Sequence, residues 1–457
     1  MLTFRIFVVF LAWAASAAWS RQYFSGRAEL IVKLRSAYHA PHHVRAFCSD
    51  FGLRKKFEEN LQGIIPVASR RREHPASLQR LLKQDRRVEY VERDMRWQAI
   101  GYPEKEATQP LNAPNDRYFK EQWGLYNQDN GRADIKVLEA WAISTGSRTI
   151  VVGILDSGID YLHPDLRANI WRNPGEALAN GADDERNGFI DDVYGWNFVE
   201  NNRTPNHNGR GPDPVDRAGH GTHVAGTVGA EVNNHIGVAG VCHNVRLMAV
   251  KGLSDLGWGY TSDLLAGIIY AVDNGAHVIN ASWGSFGYSQ ALRDAIAYAA
   301  SKNVIFVAAA GNYAADNDQT PFYPASYDVP NILSVGAIDK TGRITGFSHF
   351  GKESVDLFAP GRHIWSTLPD NAYVSWTGTS MAAPHVAGAV ALLRGFAPDL
   401  SYDTYIHAVL ASADRGAEYA ERAVSDGRLN VYGALKALNP KKKYPDHVIR
   451  YLMSIRK

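Results

Sequence analysis

The sequence predicts an α/β protein: a three-layer parallel sheet with helices on both faces, preceded by a small α+β domain with βαββαβ order. From Thr149 onward, apolar strands alternate with helical segments. Strands that are apolar on both faces are typical of parallel sheets buried between helices. A separate, shorter alternation occupies the first hundred residues. With 457 residues, 45% of them hydrophobic, the chain is long enough to form more than one core.

Residues 1–18 have the layout of a cleavable secretory signal. Arg5 precedes an apolar run from Ile6 to Ala14, and small residues follow it. The run is short for a membrane span, although an uncleaved anchor is the alternative. We therefore expect a secreted or periplasmic protein with no transmembrane span after signal removal. Because Cys48 and Cys242 are the only cysteines, its stability would depend on its core and on bound metal, not on disulfides.

Residues 19–97 are predicted to form a domain of their own. The expected elements are strands at Ala28–Leu34, near Phe57–Val67 and at Val88–Trp97, and helices around His43–Phe51 and at Pro75–Lys83. Residues 98–115 contain three prolines among polar side chains and predict an exposed linker. Residues 19–96 carry 17 basic and 9 acidic side chains. Because the long segment that follows is acidic, this favours attraction between the two parts over nucleic-acid binding.

Residues 116–439 are predicted to form the main domain. Its apolar strands are expected at Ile150–Leu155, Val245–Leu253, Val278–Ala281, Val304–Ala310, Ile332–Ile338 and Val355–Phe358. Functional side chains of such sheets gather where the strands end. Residues 440–457 form a basic C-terminal tail, for which we expect a short docked helix, with contact to an anionic surface as the alternative.

The stretch from Gly378 to Pro384, Gly-Thr-Ser-Met-Ala-Ala-Pro, predicts a tight turn that enters a buried helix at Ser380. Backbone N–H groups at a helix N-terminus favour an anion, including the oxyanion formed when a hydroxyl attacks a carbonyl. A serine in this place can also be no more than a helix cap. Partners elsewhere in the chain must decide between the two interpretations.

Three residues that follow predicted strands or glycines could serve Ser380. Asp156 directly follows an apolar strand, and its carboxylate could orient an imidazole. His220 lies among small residues in Gly-His-Gly-Thr-His-Val-Ala-Gly. Asn312 follows Ala-Gly, and its amide could donate to an oxyanion. Taken singly, each residue also fits a structural role, as a turn aspartate, a core histidine or a turn asparagine.

Together these motifs resemble the subtilisin-like serine peptidases over residues 116–437. The matching stretches are Asp156–Asp160, Gly219–Gly226, Ser282–Gly284, Ala308–Asn312 and Gly378–Pro384. The order aspartate, histidine, serine is the one already known for subtilisin. The resemblance implies that Ser380 is the nucleophile, His220 the general base and then acid, and Asp156 its orienter. Asn312 and the Ser380 backbone N–H would form the oxyanion hole.

The resemblance also implies a secreted, self-processing serine endopeptidase that works through an acyl-enzyme on Ser380. The first domain would be its inhibitory propeptide, with a self-cleavage site between Trp97 and Asn115. The alternative is a catalytically silent relative that binds peptides or acts as a scaffold. The expected partners are protein or peptide substrates and the chain's own propeptide, with no nucleic acid, and the mature protein is expected to be a monomer.

A substrate groove follows from the same resemblance. An extended peptide would add as a strand between Ser282-Trp283-Gly284 and the segment that contains Gly257 and Gly259, and Ala310 and Gly311 would complete the groove. Without the other motifs, a strand end and a loop would be the simpler interpretation. The family commonly has leucine where this chain has Trp283, so the shape of the neighbouring pocket is not fixed by the resemblance.

An acidic loop between residues 183 and 192 predicts a structural calcium site. The proposed ligands are Asp183, Glu185, Asn187 and Asp191, arranged around a glycine turn at Gly188. The position at which an EF-hand has glutamate is a tyrosine here, so the loop is not an EF-hand. A solvated acidic loop without a metal is the alternative. No cofactor is expected for catalysis.

Overall fold

The computed structural model describes residues 29–56, 62–70, 75–99, 102–104, 114–127, 133–178, 180–200 and 209–438. The chain divides into two compact units, residues 1–94 and 95–457. The predicted signal, most of the predicted linker and the basic tail lie outside the described residues. No helix in the described ranges has the length and apolar character needed to span a bilayer.

The first unit has the βαββαβ order that the sequence predicts, and it includes a short strand at Leu53–Lys55 that was not among the expected elements. Its elements are β1 (Glu29–Leu34), α1 (Pro41–Asp50), β2 (Leu53–Lys55), β3 (Ile64–Ser69), α2 (Pro75–Leu82) and β4 (Val88–Arg93). The four strands form an antiparallel sheet in the order β2-β3-β1-β4. Leu78 and Leu82, one helical turn apart on α2, are buried in its core together with Leu30, Val32 and Phe47.

The strand predicted at Val88–Trp97 is two strands in the structure. The first ends at Arg93, and the Asp94 carboxylate after it accepts a hydrogen bond from Lys56 Nζ at 2.7 Å. Residues Arg96–Ala99 form a separate strand, β5, which belongs to the second unit. Local alternation could not reveal this break, because the partners of β5 lie about 160 to 190 positions further along the chain.

The second unit contains a nine-stranded sheet in the order β18-β19-β15-β14-β13-β11-β7-β9-β8. Its strands are β7 (Gly146–Asp156), β8 (Gly195–Asn197), β9 (Asn244–Lys251), β11 (Val278–Ala281), β13 (Ile305–Ala309), β14 (Ile332–Ile338), β15 (Leu357–Pro360), β18 (Asp414–Arg415) and β19 (Gly427–Arg428). All neighbours are parallel except β18 and β19. The predicted parallel sheet is therefore confirmed.

Two small antiparallel sheets lie beside the main sheet. One has the order β10-β5-β12 and the other β16-β17-β6. Their bounds are β6 (Tyr102–Glu104), β10 (Trp258–Tyr260), β12 (Trp283–Gly284), β16 (Ile364–Leu368) and β17 (Ala372–Thr377). Each of these sheets contains one strand from residues 96–104.

The helices of the second unit are α3 (Val137–Trp141), α4 (His220–Gly229), α5 (Thr261–Asp273), α6 (Gln290–Ser301), α7 (Thr379–Phe396), α8 (Tyr402–Ala411) and α9 (Val431–Ala437). Helix α7 is buried from Thr379 to Arg394 and packs on α4 and on several strands of the main sheet. A helix that is apolar all round is typical of a protein interior. Its N-terminus therefore holds a fixed position beside the ends of the strands.

Candidate active site

Asp156 and His220 meet from two different elements. Asp156 is the last residue of β7 and is fully buried, and His220 is the first residue of α4 and is 5% exposed. His220 Nδ1 lies 2.7 Å from Asp156 Oδ1, so its N–H donates to the carboxylate. With the proton on Nδ1, the basic lone pair of the ring is on Nε2. The carboxylate thus fixes the tautomer that a general base requires.

Two glycines allow α4 to begin this close to the sheet. Gly219 has a φ of +91°, and a side chain there would meet Leu368 Cδ2 at 2.6 Å. A Cβ added at Gly221 would lie 2.1 Å from the carbonyl oxygen of Gly158, in the loop after Asp156. The glycines on both sides of His220 are therefore needed for close approach of the backbones.

Ser380 lies in the first turn of α7 and exchanges two hydrogen bonds with Ser282. Its hydroxyl donates to the Ser282 carbonyl at 2.9 Å, and the Ser282 hydroxyl donates to the Ser380 carbonyl at 2.8 Å. Pro384 has no N–H to donate to the carbonyl four residues before it, so Ser282 supplies the missing donor. Because Ser282 follows β11, the sheet neighbour of β7, this pair fixes the start of α7 to the edge of the sheet that also ends in Asp156.

Asn312 has one end of its amide occupied and the other available. Its Oδ1 accepts hydrogen bonds from Thr379 N at 2.9 Å and Thr379 Oγ1 at 2.8 Å. Its Nδ2 is buried and has no acceptor among the described residues. A buried donor without a partner is costly, and here it lies beside the residue that precedes Ser380. Such a donor suits an oxyanion that forms only during a reaction.

The backbone before Asn312 is held by its own hydrogen bonds. Asn317 Nδ2 donates to Ala310 O at 3.0 Å, His349 N donates to Gly311 O at 3.0 Å, and Gly311 N donates to Thr379 Oγ1 at 3.2 Å. Burial lowers the pKa of His349 to about 4, so the ring is neutral near pH 7. Ala310 and Gly311 were predicted to line the groove. Their carbonyl oxygens and the Gly311 N–H form hydrogen bonds to other residues of the protein, and these bonds hold Asn312 in place.

The sequence profile of the subtilase family, peptidase S8, matches residues 147–434. The chain belongs to the subtilase family. It is 40% identical over 280 residues to a thermophilic serine proteinase of Bacillus sp. strain AK1, covering 61% of this chain and 59% of that protein. It is 35% identical over 313 residues to subtilisin-like protease 1 of Plasmodium falciparum isolate 3D7, covering 64% of this chain and 43% of that protein. The chain thus spans about three fifths or less of the length of these two relatives.

Two solved structures share the fold. A protease from Pseudoalteromonas arctica is 31% identical with a TM-score of 0.59, covering 71% of this chain and 99% of its own. Fervidolysin from Fervidobacterium pennivorans, described as a keratinolytic enzyme related to subtilisin, is 24% identical with a TM-score of 0.70. That match covers 92% of this chain and 63% of fervidolysin. The subtilisin-like architecture predicted from the sequence is therefore confirmed.

In this subtilase, the two predicted edges of the groove hold a strand of the chain itself between them. Strand β5 pairs antiparallel with β10, which includes Gly259, and with β12, which consists of Trp283 and Gly284. Ala99 N also donates to Gly257 O at 2.9 Å. Trp283 is fully buried, and its Nε1 donates to Leu155 O at 2.8 Å. This geometry is what strand addition by an extended peptide requires.

Sequence reasoning missed Asp216, a buried carboxylate that connects the surroundings of Asp156 and His220. Its Oδ1 accepts hydrogen bonds from Ser157 Oγ at 2.9 Å, from Gly219 N at 2.9 Å and from Ala218 N at 3.0 Å. Its Oδ2 accepts from Thr222 N at 2.8 Å and Thr222 Oγ1 at 2.7 Å. The carboxylate thus satisfies N–H groups at the start of α4, which have no intrahelical acceptors. In the sequence it resembles an ordinary turn aspartate.

A buried lysine completes this network. Lys251 Nζ donates to Asp255 Oδ1 at 2.7 Å and to the carbonyl oxygen of Ser157. Burial raises the pKa of Asp216, an effect that the positive charge of Lys251 and the hydrogen bonds from Thr222 and Gly219 oppose. The loop after Asp156 is therefore fixed from two sides by charged groups that do not belong to the predicted catalytic set.

The acidic loop contains a cluster of three carboxylates. Oxygen atoms of Glu176, Asp183 and Glu185 lie within 4.8 Å of one another. Asp183 and Glu185 are two of the four predicted ligands, whereas Glu176 precedes the loop and was not among them. The Asp191 carboxylate accepts hydrogen bonds from Asn180 N and Gly181 N and is not part of the cluster. The remaining predicted ligand, Asn187, contacts the cluster, because its Nδ2 donates to Glu185 Oε1 at 2.8 Å.

Proposed function

We propose that this subtilase is a serine endopeptidase, made as an exported precursor that processes itself. The proposal is carried by three features together: a carboxylate that fixes the tautomer of His220, Ser380 at the start of a buried helix, and a buried Asn312 Nδ2 without an acceptor among the described residues. Acyl transfer needs a base, a nucleophile and a donor for the oxyanion, and these residues supply one each.

Acylation begins when Ser380 Oγ attacks the carbonyl carbon of the peptide bond. The hydroxyl turns from the Ser282 carbonyl, and its proton passes to His220 Nε2 as the new C–O bond forms. Asp156 stabilises the imidazolium, and Asn312 Nδ2 and the Ser380 backbone N–H donate to the oxyanion. The C–N bond then breaks, and His220 gives its proton to the leaving amine. The products are a serine ester and a free amine.

Deacylation uses the same groups in reverse. A water molecule takes the place of the amine, and His220 Nε2 accepts a proton from it as it attacks the ester carbonyl. The second oxyanion is stabilised by the same donors. When it collapses, the ester C–O bond breaks and the proton returns from His220 to Ser380 Oγ. The second peptide fragment leaves as a carboxylic acid, which ionises, and the enzyme is regenerated.

The alternative is a silent subtilase that binds peptides or acts as a scaffold, and one experiment separates the two. The wild-type chain and Ser380→Ala are expressed alone, and cleavage in residues 97–115 is followed by mass spectrometry together with casein hydrolysis. We expect the mutant to remain uncut and inactive. Ser334→Ala, at a buried serine whose hydroxyl has no partner among the described residues, controls for loss of a core hydroxyl. Normal maturation of Ser380→Ala would disprove self-processing through Ser380.

The first domain fits the role of an inhibitory propeptide. Its basic excess, 17 against 9 charges in residues 19–96, favours association with an acidic partner, and it is continuous with the strand held in the groove. Activity should therefore appear only as the junction is cut. A time course of peptide hydrolysis against the fraction of cut chain tests this, because full activity of uncut chain would exclude inhibition. N-terminal sequencing of exported protein tests the predicted signal at residues 1–18.

We further propose a structural calcium ion at the cluster of Glu176, Asp183 and Glu185. Hard divalent cations prefer carboxylate oxygens, and oxygen atoms of these three side chains lie within 4.8 Å of one another. Partial burial, followed by the neighbouring Glu185, raises the pKa of Glu176 to about 7. A cation would relieve this repulsion between carboxylates. The residues present therefore fit a calcium ion that stabilises the fold and takes no part in the reaction.

A further inference from the structure

Asn312 is anchored at two separate places. Its side-chain Oδ1 accepts hydrogen bonds from Thr379 N and Thr379 Oγ1, which fix the rotation of the amide. The backbone that leads into it is anchored by other residues, because the carbonyl oxygens of the two preceding residues accept hydrogen bonds from Asn317 Nδ2 and His349 N, each at 3.0 Å. The position of Asn312 Nδ2 therefore also depends on two residues that come later in the chain.

Asn317 and His349 form a hydrogen-bonded pair. His349 Nδ1 lies 2.7 Å from Asn317 Oδ1. Because Asn317 uses its Nδ2 to donate to Ala310 O, its Oδ1 is the acceptor in this contact, and the imidazole carries a proton on Nδ1. Both residues are buried. The Asn317–His349 pair thus connects the backbone before Asn312 to a second loop of the domain through hydrogen bonds that water does not reach.

Backbone hydrogen bonds align the two loops that carry the pair. Asn317 lies in the loop after β13, and His349 lies in the loop after β14, the neighbouring strand of the main sheet. Asn317 N donates to Phe350 O at 2.8 Å, and Phe350 N donates to Ala315 O at 3.1 Å. The two loops are therefore held side by side by their own backbones, which gives the Asn317–His349 pair a defined place relative to the sheet.

The ring of His349 also lies beside the α-carbon of Gly311. A Cβ added at Gly311, whose φ is +121°, would lie 2.6 Å from His349 Nδ1. The other ring nitrogen, Nε2, is buried and has no hydrogen-bond partner among the described residues, and Phe322 packs edge-on against the ring with centroids 5.1 Å apart. An apolar side chain of similar size would avoid the cost of this unpaired atom. Packing alone therefore does not account for a histidine here, whereas the donor at Nδ1 does.

We propose that Asn317 and His349 are positioning residues that hold Asn312 Nδ2 where the oxyanion forms, a role that rests on the proposed peptidase function. Both act through Asn312 and not on the reacting atoms. The strength of a hydrogen bond falls steeply when donor and acceptor are misaligned, so a displaced Asn312 stabilises the oxyanion less. Because the oxyanion exists only after attack by Ser380, loss of the pair lowers kcat and leaves KM nearly unchanged.

The first test compares Asn317→Ala with a change at a buried asparagine away from the site. Each variant is matured by immobilised wild-type enzyme, which is then removed, and kcat and KM are measured on a peptide that the wild-type enzyme cuts in casein. We expect Asn317→Ala to lower kcat about 10- to 100-fold. Asn331→Ala removes donors to Ile296 O and Val304 O at the other end of β14, and it should keep the kcat of the wild-type enzyme. Equal kcat values in the two variants would overturn the proposal.

A double-variant cycle tests whether Asn317 acts through Asn312. Asn312→Ala alone should lower kcat about 100-fold or more, as the loss of this donor does in subtilisin. When Asn312 has no side-chain amide to position, the further change Asn317→Ala should slow the reaction by no more than about twofold. Independent effects multiply, so a double variant slowed by the product of the two single effects would overturn the positioning role. Casein hydrolysis by wild-type enzyme shows separately whether the peptidase function itself fails.

Two variants of His349 separate its hydrogen bond from its packing. In His349→Asn the side-chain NH₂ replaces the Nδ1–H donor, whereas His349→Leu fills a similar volume without a donor. We expect His349→Asn to keep kcat within about threefold of the wild-type enzyme and His349→Leu to lower it about tenfold. This comparison decides the question if Asn317→Ala does not fold. A kcat in His349→Leu equal to or above that of His349→Asn would overturn the role of the donor.

Discussion

Asp216→Asn tests whether a carboxylate outside the reacting groups holds the active site in place. The substitution keeps the shape but turns one acceptor oxygen into an NH₂ donor. The least disruptive orientation places this nitrogen at the Oδ2 position, where Thr222 N now donates at 2.8 Å. The hydroxyl of Thr222 can rotate and accept instead, but its backbone N–H cannot. At least one buried N–H therefore loses its acceptor and faces a second donor.

The expected magnitude follows from these contacts. One lost hydrogen bond to a charged group costs about 1.5–3 kcal/mol, and the bonds that remain become weaker neutral ones. Removing the buried charge offsets part of this loss, since burial raises the pKa of Asp216. We expect the free energy of unfolding to fall by about 3 kcal/mol. A shift of about 1 Å in the start of α4 would also lower kcat/KM about 100-fold.

The change in the free energy of unfolding is measured by denaturant unfolding followed by tryptophan fluorescence. The protein used also carries Ser380→Ala to prevent autolysis. Nine of the eleven tryptophans lie in residues 95–457, so fluorescence reports mainly on the second unit. Asp213→Asn is the matched control: this exposed carboxylate accepts from Tyr161 OH at 3.0 Å, and its loss should change stability by less than about 0.5 kcal/mol. Equal free energies of unfolding for Asp216→Asn and Asp213→Asn would refute the proposed positioning role of Asp216. An unchanged kcat/KM in Asp216→Asn would refute it as well.

Three further predictions concern the oxyanion donor, pH and calcium. Asn312→Ala should lower kcat about 10²- to 10³-fold with little change in KM, a range established on subtilisin itself; a change confined to KM would contradict a role in the transition state. Burial lowers the pKa of His385 to about 4, so its contribution to stability is complete above pH 6.5 and is lost as pH falls. His385→Gln should therefore reduce the slope of unfolding free energy between pH 6 and 5 by about 1.2 kcal/mol per pH unit. An unchanged slope in His385→Gln would contradict the prediction. Calcium should raise the melting temperature of the Ser380→Ala chain and of its Asp191→Asn variant, but much less that of Glu185→Gln; an equal rise in all three would place the ion elsewhere.

The fold could be predicted because its signals are local. Continuous apolar strands such as Ile332–Ile338, separated by amphipathic helices, are sufficient to indicate a covered parallel sheet. The family followed from five short motifs in a fixed order, each of which contains a side chain or a glycine that its position requires. Gly221 illustrates this requirement, since a Cβ there would lie 2.1 Å from Gly158 O.

What the sequence did not reveal depends on contacts between distant segments. Asp216 looks like a turn residue until Ser157, 59 positions away, is seen to donate to it. Glu176 joins Asp183 and Glu185 only because the backbone folds back on itself. The residue that accepts the hydrogen bond from the Trp97 indole lies more than 160 positions away. The sequence predicted residues 96 and 97 as the end of a strand of the first unit, but they belong to β5 of the second unit. No periodicity in the first hundred residues could indicate this.

The reciprocal hydrogen bonds between Ser282 and Ser380 have a mechanical consequence. One partner lies next to the strand that receives the peptide, and the other carries the attacking oxygen. When binding of a substrate strand displaces β12, the two hydrogen bonds of 2.8 and 2.9 Å transmit the displacement to Ser380. These two hydrogen bonds therefore set the distance between the bound peptide and the nucleophile. Substitutions elsewhere in the groove can change which substrate side chains are preferred without moving Ser380.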